Sequence, residues 1–166
     1  CSTFPERLTD AIVLVGDTES GVETQCGSAI PSTAACSDAV LNCSIEGDYI
    51  VFHGPETPHV AVTEIEAYGV PIKIETALTT TAAPISQTNV LLGLIVVASS
   101  YQGAFTPNLL TDGDKTGKDK MWTASDVSVS FRINLTDSIR ITQVRVTNRC
   151  STFPERLTDA IVLVGD

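Results

Sequence analysis

The side chains that could carry acid–base chemistry are few and widely spaced. His53 and His59 lie six residues apart (59 − 53) in different turn regions, with no third ligand at a suitable spacing. Glu64 and Glu66 fall on the same face of a predicted strand and could form a paired-carboxylate site, but no pocket that would raise a carboxyl pKa is indicated. The sequence contains no glycine-rich phosphate loop and no nucleophile motif. We therefore predict that the chain is not an enzyme.

An internal repeat governs how these residues must be positioned. The first 17 residues, CSTFPERLTDAIVLVGD, return unchanged as residues 150–166, so the period is 149 residues (150 − 1). Internal repetition is typical of tandem arrays, and one period is about the size of one domain. We interpret the chain as a window on a longer natural array. The alternative is an engineered duplication or circular permutant.

Cysteines and glycosylation sequons indicate an extracellular protein. Each repeat contributes four cysteines, because the five in the chain include one duplicate. An even number suits disulfide pairing, and the one left over marks either a link to another subunit or the place where the sequence was cut. Sequons occur at Asn42-Cys43-Ser44 and Asn134-Leu135-Thr136. Together these features predict a secreted glycoprotein.

The charge distribution excludes two classes of partner. The formal net charge is −10, and no basic run or stripe is present. An electrostatic footprint for nucleic acid or for an anionic membrane is therefore missing, although a negative domain is compatible with a hard cation such as calcium. The longest apolar run, Val90–Ala98, is much too short to span a bilayer and is interpreted as a buried strand.

Short apolar segments separated by turns predict an all-β fold. Several alternate in polarity, as strands with one buried face do. Ile139–Val146 alternates as Val127–Ile133 does, with a one-step phase change that predicts a β-bulge. No stretch of twelve or more residues has a clean helical period. The predicted strands are Ala11–Val15, Tyr49–Phe52, Val60–Ile65, Ile72–Ile74, Val127–Ile133 and Ile139–Val146.

A linker divides the chain. Residues 76–88 are uncharged and rich in Thr, Ala and Pro, so they bury too little apolar surface to fold alone. Such composition in a secreted chain predicts O-glycosylation, at Thr79, Thr80 and Thr81, or else an undecorated loop. Residues 1–75 are then the second half of one domain, and residues 89–166 the first half of the next. The halves would pair within one chain or between neighbouring repeats.

In this shifted frame a succession of short motifs runs through nearly the whole repeat. The motifs are Asn89–Gly93, Ala98–Gly103, Leu109–Asp114, Trp122-Thr123, Phe131–Leu135, Ile141–Arg149, Glu155–Leu157, Ala160–Gly165, Cys26-Gly27, Cys43, Gly47–Ile50 and Val60–Glu66. Their order resembles that of the coagulation-factor type C (discoidin-like) domain, and particularly that of its F-type lectin (fucolectin) branch. The resemblance implies a galactose-binding-like jelly-roll β-sandwich that is circularly shifted or shared between repeats.

The resemblance implies a sugar site that has partly decayed. Arg149 and Arg156 fall where the family has its two basic residues, and paired guanidinium hydrogen bonds suit adjacent sugar hydroxyls. Trp122 replaces the family's histidine and could stack on a sugar face. Ser151 stands in place of the motif aspartate. The alternative role for the two arginines is in surface salt bridges.

A structural calcium and a disulfide are also implied by the resemblance. Asp112 and Asp114 match its loop carboxylates, Glu64 matches a late acidic ligand, and Thr63 would contribute its carbonyl. The alternative is a turn that needs no metal. The family's disulfide would join Cys26 to Cys43. Cys36 would then pair with Cys1 or Cys150, outside the family pattern.

Two functions follow as predictions. The first is a structural or adhesive extracellular fibre or stalk of tandem sandwiches, whose partners are copies of itself arranged head to tail. The identical repeat, the Thr-rich linker and the sequons favour it. The alternative is a calcium-dependent lectin that binds fucose-type glycans on cell surfaces.

Overall fold

The protein is largely β-structure, as the sequence predicts. The computed structural model describes residues 15–18, 21–30, 36–54, 60–72, 88–104, 106–116, 122–124, 129–148 and 161–165, with backbone alone at 15–17, 60, 122–124 and 161–165. Its helical content in these ranges is one 3-10 turn, Pro107–Leu110. The strands are β1 (Val15–Asp17), β2 (Val22–Gln25), β3 (Asp38–His53), β4 (Val60–Pro71), β5 (Val96–Ala98), β6 (Trp122–Ala124), β7 (Ser130–Asn148) and β8 (Ile161–Gly165).

Two long antiparallel strands form the centre of the sheet. β3 and β7 pair from Asp38–Thr147 at one end to His53–Ser130 at the other. Along the main path the order is β1-β2-β8-β3-β7-β4-β6, and β5 pairs with the first part of β7. The register of β3 against β7 shifts between Asn42 and Ile45 and again between Gly47 and Tyr49. The predicted bulge lies at the first shift, where the adjacent Tyr68 and Gly69 of β4 pair with Gln143 and Ile141. The buried face of β7 changes phase at the same place, between Ile141 and Val144.

Both ends of the long strands contribute to one hydrophobic core. Phe52 and Phe131, which are paired across β3 and β7, stack with their ring centroids 4.6 Å apart. They belong to the same buried cluster as Ile65 of β4 and Val146 near the other end of β7. The predicted inward face of β7 is confirmed, since Val129, Phe131 and Ile133 are all buried.

Strands from both sides of the predicted linker share this sheet. β1–β4 come from residues 1–75 and β5–β8 from residues 89–166, and β7 lies between β3 and β4. The two stretches therefore pair within one chain. Of the predicted linker itself, residues 76–88, only Thr88 is among the described residues, where it is exposed.

The prediction of a buried strand over Val90–Ala98 is wrong for most of its length. Only Val96–Ala98 forms a strand, and Leu92, Ile95 and Val97 are 60%, 76% and 64% exposed. A turn precedes the strand: Gly93 has φ +75°, and its N–H donates to the Thr111 carbonyl. A left-handed glycine interrupts β pairing, so the apolar run cannot continue as one strand.

Two other predicted strands are only partly covered. β4 ends at Pro71, so Ile72 lies just beyond the strand rather than beginning another one. Residues 73 and 74, like residues 11–14 of the predicted strand Ala11–Val15, lie outside the described ranges. Among the described residues, no helix is long and apolar enough to cross a membrane.

Candidate functional site

A group of acidic side chains around one lysine forms the first candidate region. Glu64 and Glu66 lie on β4, Asp38 begins β3, and Asp112 and Lys115 lie in the loop after the 3-10 turn. We call these five residues the carboxylate cluster. It lies where β3, β4 and the loop meet, because β4 and the start of β3 pair with the same end of β7.

Glu64 is fully buried, with an exposed fraction of 0%. Its Oε1 accepts a hydrogen bond from the Gly113 N–H at 3.2 Å, whereas its Oε2 has no hydrogen-bond partner among the described residues. Burial, opposed by the Gly113 bond and reinforced by Asp112 and Glu66, raises the pKa of Glu64 to about 8. The expectation that no pocket raises a carboxyl pKa is therefore wrong. Alternation places Glu64 on a face, but it does not reveal how completely the loop covers it.

Lys115 supplies the positive charge of the cluster. Its Nζ lies 2.9 Å from Asp38 Oδ2 and 2.5 Å from Glu66 Oε2. Burial lowers the pKa of Lys115, but the bonds to Glu66 and Asp38 outweigh it and the pKa is raised. At Asp38, burial is likewise outweighed, by hydrogen bonds from Thr147 and Lys115, and the pKa is lowered. Sequence reasoning missed Lys115, although it directly follows the Asp112-Gly113-Asp114 motif.

The loop that carries Asp112 is organised by its own side chains. Asp112 Oδ1 accepts from the Asp114 N–H at 2.8 Å, and Asp114 Oδ1 accepts from the N–H and hydroxyl of Thr116. These are the local turns that Asp favours. Gly113 has φ +82°, a conformation that presents its N–H to Glu64 and that a residue with Cβ rarely adopts. The turn thus brings Asp112 beside Glu64.

The predicted calcium ligands are only partly brought together. Glu64 and Asp112 are neighbours, Asp114 faces Thr116, and the buried Thr63 donates its hydroxyl to the Asn148 carbonyl at 3.4 Å. In the described part of the chain, no group of three or more His, Cys, Asp or Glu side chains is arranged to hold a metal ion. Backbone carbonyls would have to complete a site. The unpartnered, buried Glu64 Oε2 is the feature that fits a cation.

The predicted sugar site is mostly outside the described residues. Arg149 and Arg156 lie there entirely, and of Trp122 only the backbone is described. Trp122 pairs with Val62, the residue before Thr63. The sequence neighbour of Arg149, Asn148, accepts the Thr63 hydroxyl bond. The backbone therefore brings Trp122 close to Thr63, one of the predicted calcium ligands.

The disulfide prediction is confirmed for one pair and left open for the other. Cys26 and Cys43 are joined by a disulfide bond. Cys36 is disulfide-bonded too, and its partner lies outside the described residues, as do both Cys1 and Cys150. The Cys26–Cys43 bond attaches the segment after β2 to the middle of β3.

Both N-glycosylation sequons lie on strands, with exposed asparagines. Asn42 Oδ1 accepts from Gln143 Nε2 at 3.0 Å, and Asn134 Oδ1 accepts from Arg132 Nε at 2.7 Å. These bonds use the amide oxygen, whereas a glycan is attached to the amide nitrogen. The predicted O-glycosylation residues Thr79, Thr80 and Thr81 lie outside the described residues.

The second candidate region is the gap between β2 and β3 that β8 fills, which we call the strand slot. β8 pairs with β3 from Tyr49–Gly165 to His53–Ile161, and with β2 at Thr24–Val164 and Gln25–Leu163. β1, which carries the other copy of the repeated sequence, also pairs antiparallel with β2, from Val15–Thr24 to Asp17–Val22. Val15 of β1 also forms a parallel pair with Val164 of β8. The two copies thus meet in one sheet.

A hydrogen bond closes over the strand slot. The Tyr49 hydroxyl donates to Glu23 Oε1 at 3.3 Å, although β8 lies between the strands that carry these two residues. Burial and the neighbouring Glu23 raise the pKa of Tyr49, which keeps the hydroxyl protonated. The Arg132 guanidinium lies 3.5 Å from the Tyr49 ring centroid and shields its face. Sequence reasoning did not identify this bond, because no local spacing relates Tyr49 to Glu23.

The two histidines do not form a site. His53 lies at the end of the strand slot, opposite Ile161, and is half-buried. Burial lowers its pKa, and Glu23 opposes that effect. His59 lies outside the described residues.

The two regions offer different chemistry. The carboxylate cluster holds a buried carboxyl group, Glu64, whose pKa is raised to about 8 and whose Oε2 has no hydrogen-bond partner among the described residues, which suits a cation. The strand slot holds β8 by backbone pairing with β2 and β3. No family model, characterised protein or solved structure matches this chain.

Proposed function

We propose that this chain is part of an extracellular, glycosylated tandem-repeat protein with a structural or adhesive role, in which copies connect head to tail into a fibre or stalk. One observation carries the proposal. Val15 on β1 and Val164 on β8 are equivalent residues of the repeat, 149 positions apart (164 − 15), and both pair with Thr24 of β2. A strand that two consecutive repeats supply to one sheet is a natural connection between units.

The sharing of the sheet supports the same proposal. Stretches that belong to different units in the repeat frame contribute alternate strands, with β7 between β3 and β4 and β8 between β2 and β3. In a longer array, the equivalent stretches would complete each other along the chain. We further propose that the unit is a galactose-binding-like jelly-roll sandwich in a circularly shifted frame. The bend expected at the β-bulges of β3 and β7, and the single core on which both ends of these strands pack, favour it.

An extracellular location is part of the proposal. The Cys26–Cys43 disulfide suits an oxidising compartment, and both Asn42 and Asn134 are exposed. Glycans at these two residues and at Thr79–Thr81 would keep units apart except at their joints. Nucleic acid is an unsuitable partner for a chain with a formal net charge of −10.

The experiment is to secrete the 166-residue chain from eukaryotic cells and to examine its mass and assembly state. We expect an intact mass that falls after N-glycosidase and O-glycosidase treatment. We also expect light scattering and negative-stain images to record longer assemblies as concentration rises. N42Q/N134Q and T79A/T80A/T81A variants serve as glycan controls. Compact single particles at every concentration would overturn the proposed fibre.

The second candidate function is a calcium-dependent lectin for fucose-type glycans, with Arg149, Arg156 and Trp122 at the sugar. The observation that favours it is Glu64, which is fully buried, has one oxygen without a partner and lies beside Asp112. Calcium would be held by Glu64, Asp112, Asp114 and the Thr63 carbonyl, and would fix the loop near the sugar.

Calcium titration by calorimetry tests the metal part of this second candidate. We expect wild type to bind and Glu64→Gln to bind at least tenfold more weakly, with Glu46→Gln, on the exposed part of β3, as the matched control. A glycan array with calcium present then tests sugar binding. If the protein binds no glycan on the array, the lectin candidate is rejected even if calcium binds.

A further inference from the structure

We infer that the strand slot is a binding site for the sequence AIVLVGD, and that either copy, residues 11–17 or residues 160–166, can fill it, including a copy donated by a second molecule of this chain. The inference rests on the proposed function, because it names the joint through which units would connect. It adds the specific segment, its receptor and the rule that selects it.

The slot has the form of a receptor for one strand. β8 pairs with five consecutive residues of β3 on one side, Tyr49 to His53, and with Thr24 and Gln25 of β2 on the other. In β3, Ile50 and Phe52 are fully buried in the main core, and Tyr49 and Val51 are buried on the opposite face. A strand inserted here therefore pairs with a segment of β3 whose side chains are buried on both faces of the sheet.

The register shows that both copies fit β2 in the same way. Val15 and Val164 are the same residue of the repeat, and each pairs antiparallel with Thr24. The pair Gln25–Leu163 continues this register by one residue. A shift of one residue would turn every side chain to the other face, so identical register means that each copy presents the same face. β2 thus pairs with either copy of the sequence in the same register.

Each copy has a glycine paired with one of the two residues of the Tyr49–Glu23 hydrogen bond that closes the slot. Tyr49 pairs with Gly165, and Glu23 pairs with the equivalent Gly16. The bond from the Tyr49 hydroxyl to Glu23 spans β8, so a residue without a side chain is needed beneath it. The Gly16/Gly165 position is therefore the selective feature of the donated segment. Other apolar strands of the chain would be excluded by their side chains.

Exchange between copies leaves the number of strand pairs unchanged. One copy fills the slot, and the displaced copy has the sequence that the slot of another molecule binds. A copy on the same chain benefits from an effective concentration of about millimolar, so exchange between molecules dominates at high concentration or when the resident copy is disabled. Because donor and receptor are different surfaces, the contact is head to tail and propagates.

The experiment disables each copy in the full chain with proline, which removes the N–H that pairing requires. Val164→Pro alone and Val15→Pro alone are each expected to lower the melting temperature by less than about 4 °C, because the other copy fills the slot. The double variant is expected to lose cooperative unfolding. Arg132→Pro, in the first part of β7 where it pairs with both β3 and β5, has no second copy and should abolish folding by itself.

A peptide keeps the test decisive even where the double variant is unfolded. The peptide AIVLVGD, added to the double variant, is expected to restore the β-sheet circular dichroism signal and cooperative melting. The same peptide with valine in place of its glycine, which corresponds to Gly165→Val, should have at least tenfold weaker effect. If Val164→Pro alone behaves like the double variant, the copies are not interchangeable and the inference fails. It also fails if the double variant melts like wild type, or if the two peptides act alike.

These outcomes separate the inference from the proposed function. If filaments form but the single and double proline variants do not differ as expected, the fibre proposal stands and strand exchange is rejected as the contact between units. The expected proline and peptide results, in a protein that stays monomeric at all concentrations, would keep the slot as a receptor and remove the fibre.

Discussion

The strand slot and the carboxylate cluster lie in one fold but are built in opposite ways. The slot is defined by backbone pairing, and both copies of the repeated strand pair with the same residue of β2, Thr24. The cluster is defined by side chains, and one buried oxygen, Glu64 Oε2, has no hydrogen-bond partner among the described residues. β2 thus pairs with two copies of one strand, whereas Glu64 Oε2 in the cluster has a buried position and no described hydrogen-bond donor. We expect the slot to respond to changes in the chain and the cluster to respond to protons and cations.

The largest effect that distinguishes the two regions should come from alkaline pH acting on Glu64. Its pKa is about 8 when folded and 4.5 when unfolded, so the folded protein retains a proton that the unfolded chain releases. The free energy of unfolding should therefore fall as pH rises from about 4.5 to about 8. The total is several kcal/mol, since one pKa unit corresponds to about 1.4 kcal/mol.

Urea unfolding in calcium-free buffer from pH 5 to pH 9 measures this dependence. Glu64→Gln, a neutral side chain of the same shape, is expected to remove the slope. Glu46→Gln is the matched control, because Glu46 pairs with Arg140 where both are about half exposed, and it should retain the slope. An equal slope in wild type and Glu64→Gln would assign the pH response to another group.

Removing the lysine of the cluster should have the next largest effect. Lys115→Met leaves Asp38 and Glu66 without their shared cation and should reduce the free energy of unfolding by about 2 kcal/mol, less than for a fully buried pair because all three side chains are partly exposed. The control, Arg140→Met, breaks a more exposed pair and should change it by less than about 1 kcal/mol. Urea unfolding at pH 7 checks both. Equal effects of the two variants would make the cluster an ordinary surface network.

Sequence reasoning anticipates the strands of the sheet better than the carboxylate cluster, for a physical reason. Alternation in Val127–Ile133 predicts the face of β7, and its change of phase predicts the bulge, because both are properties of neighbouring residues. The 17-residue repeat identifies the strand, but not that both copies lie against β2. Burial of Glu64 depends on a loop that arrives 49 residues later in sequence, at Gly113, and no local pattern reports it. The error at Val90–Ala98 has a local cause, since the left-handed Gly93 lies within the apolar run and ends it as a strand.

A smaller effect should come from the bond that closes the slot. Tyr49→Phe removes only the hydroxyl that donates to Glu23 and should cost about 1 kcal/mol of the free energy of unfolding. Tyr101→Phe, at a residue 56% exposed, is the matched control and should be neutral. A double-mutant cycle with Glu23→Gln isolates the pair. Additive effects of the two substitutions would show that the bond does not contribute to holding β8.

The smallest effect, that of His53, has the opposite pH sign from that of Glu64. Burial lowers the pKa of His53 below 6.5, so the unfolded chain binds a proton more readily than the folded protein. Stability should therefore be lost as pH falls below about 6.5. The loss is small because His53 is only half-buried, and His53→Gln should remove it.

Since His53 pairs with Ile161 at the end of the slot, acid should loosen β8 first, whereas alkali acts on the cluster. Amide hydrogen exchange of β8 and β4 at pH 5.5 and pH 8.5 measures this. Exchange is compared with that of the unfolded chain at the same pH. Equal loss of protection in both strands at both pH values would mean that the two regions respond as one unit.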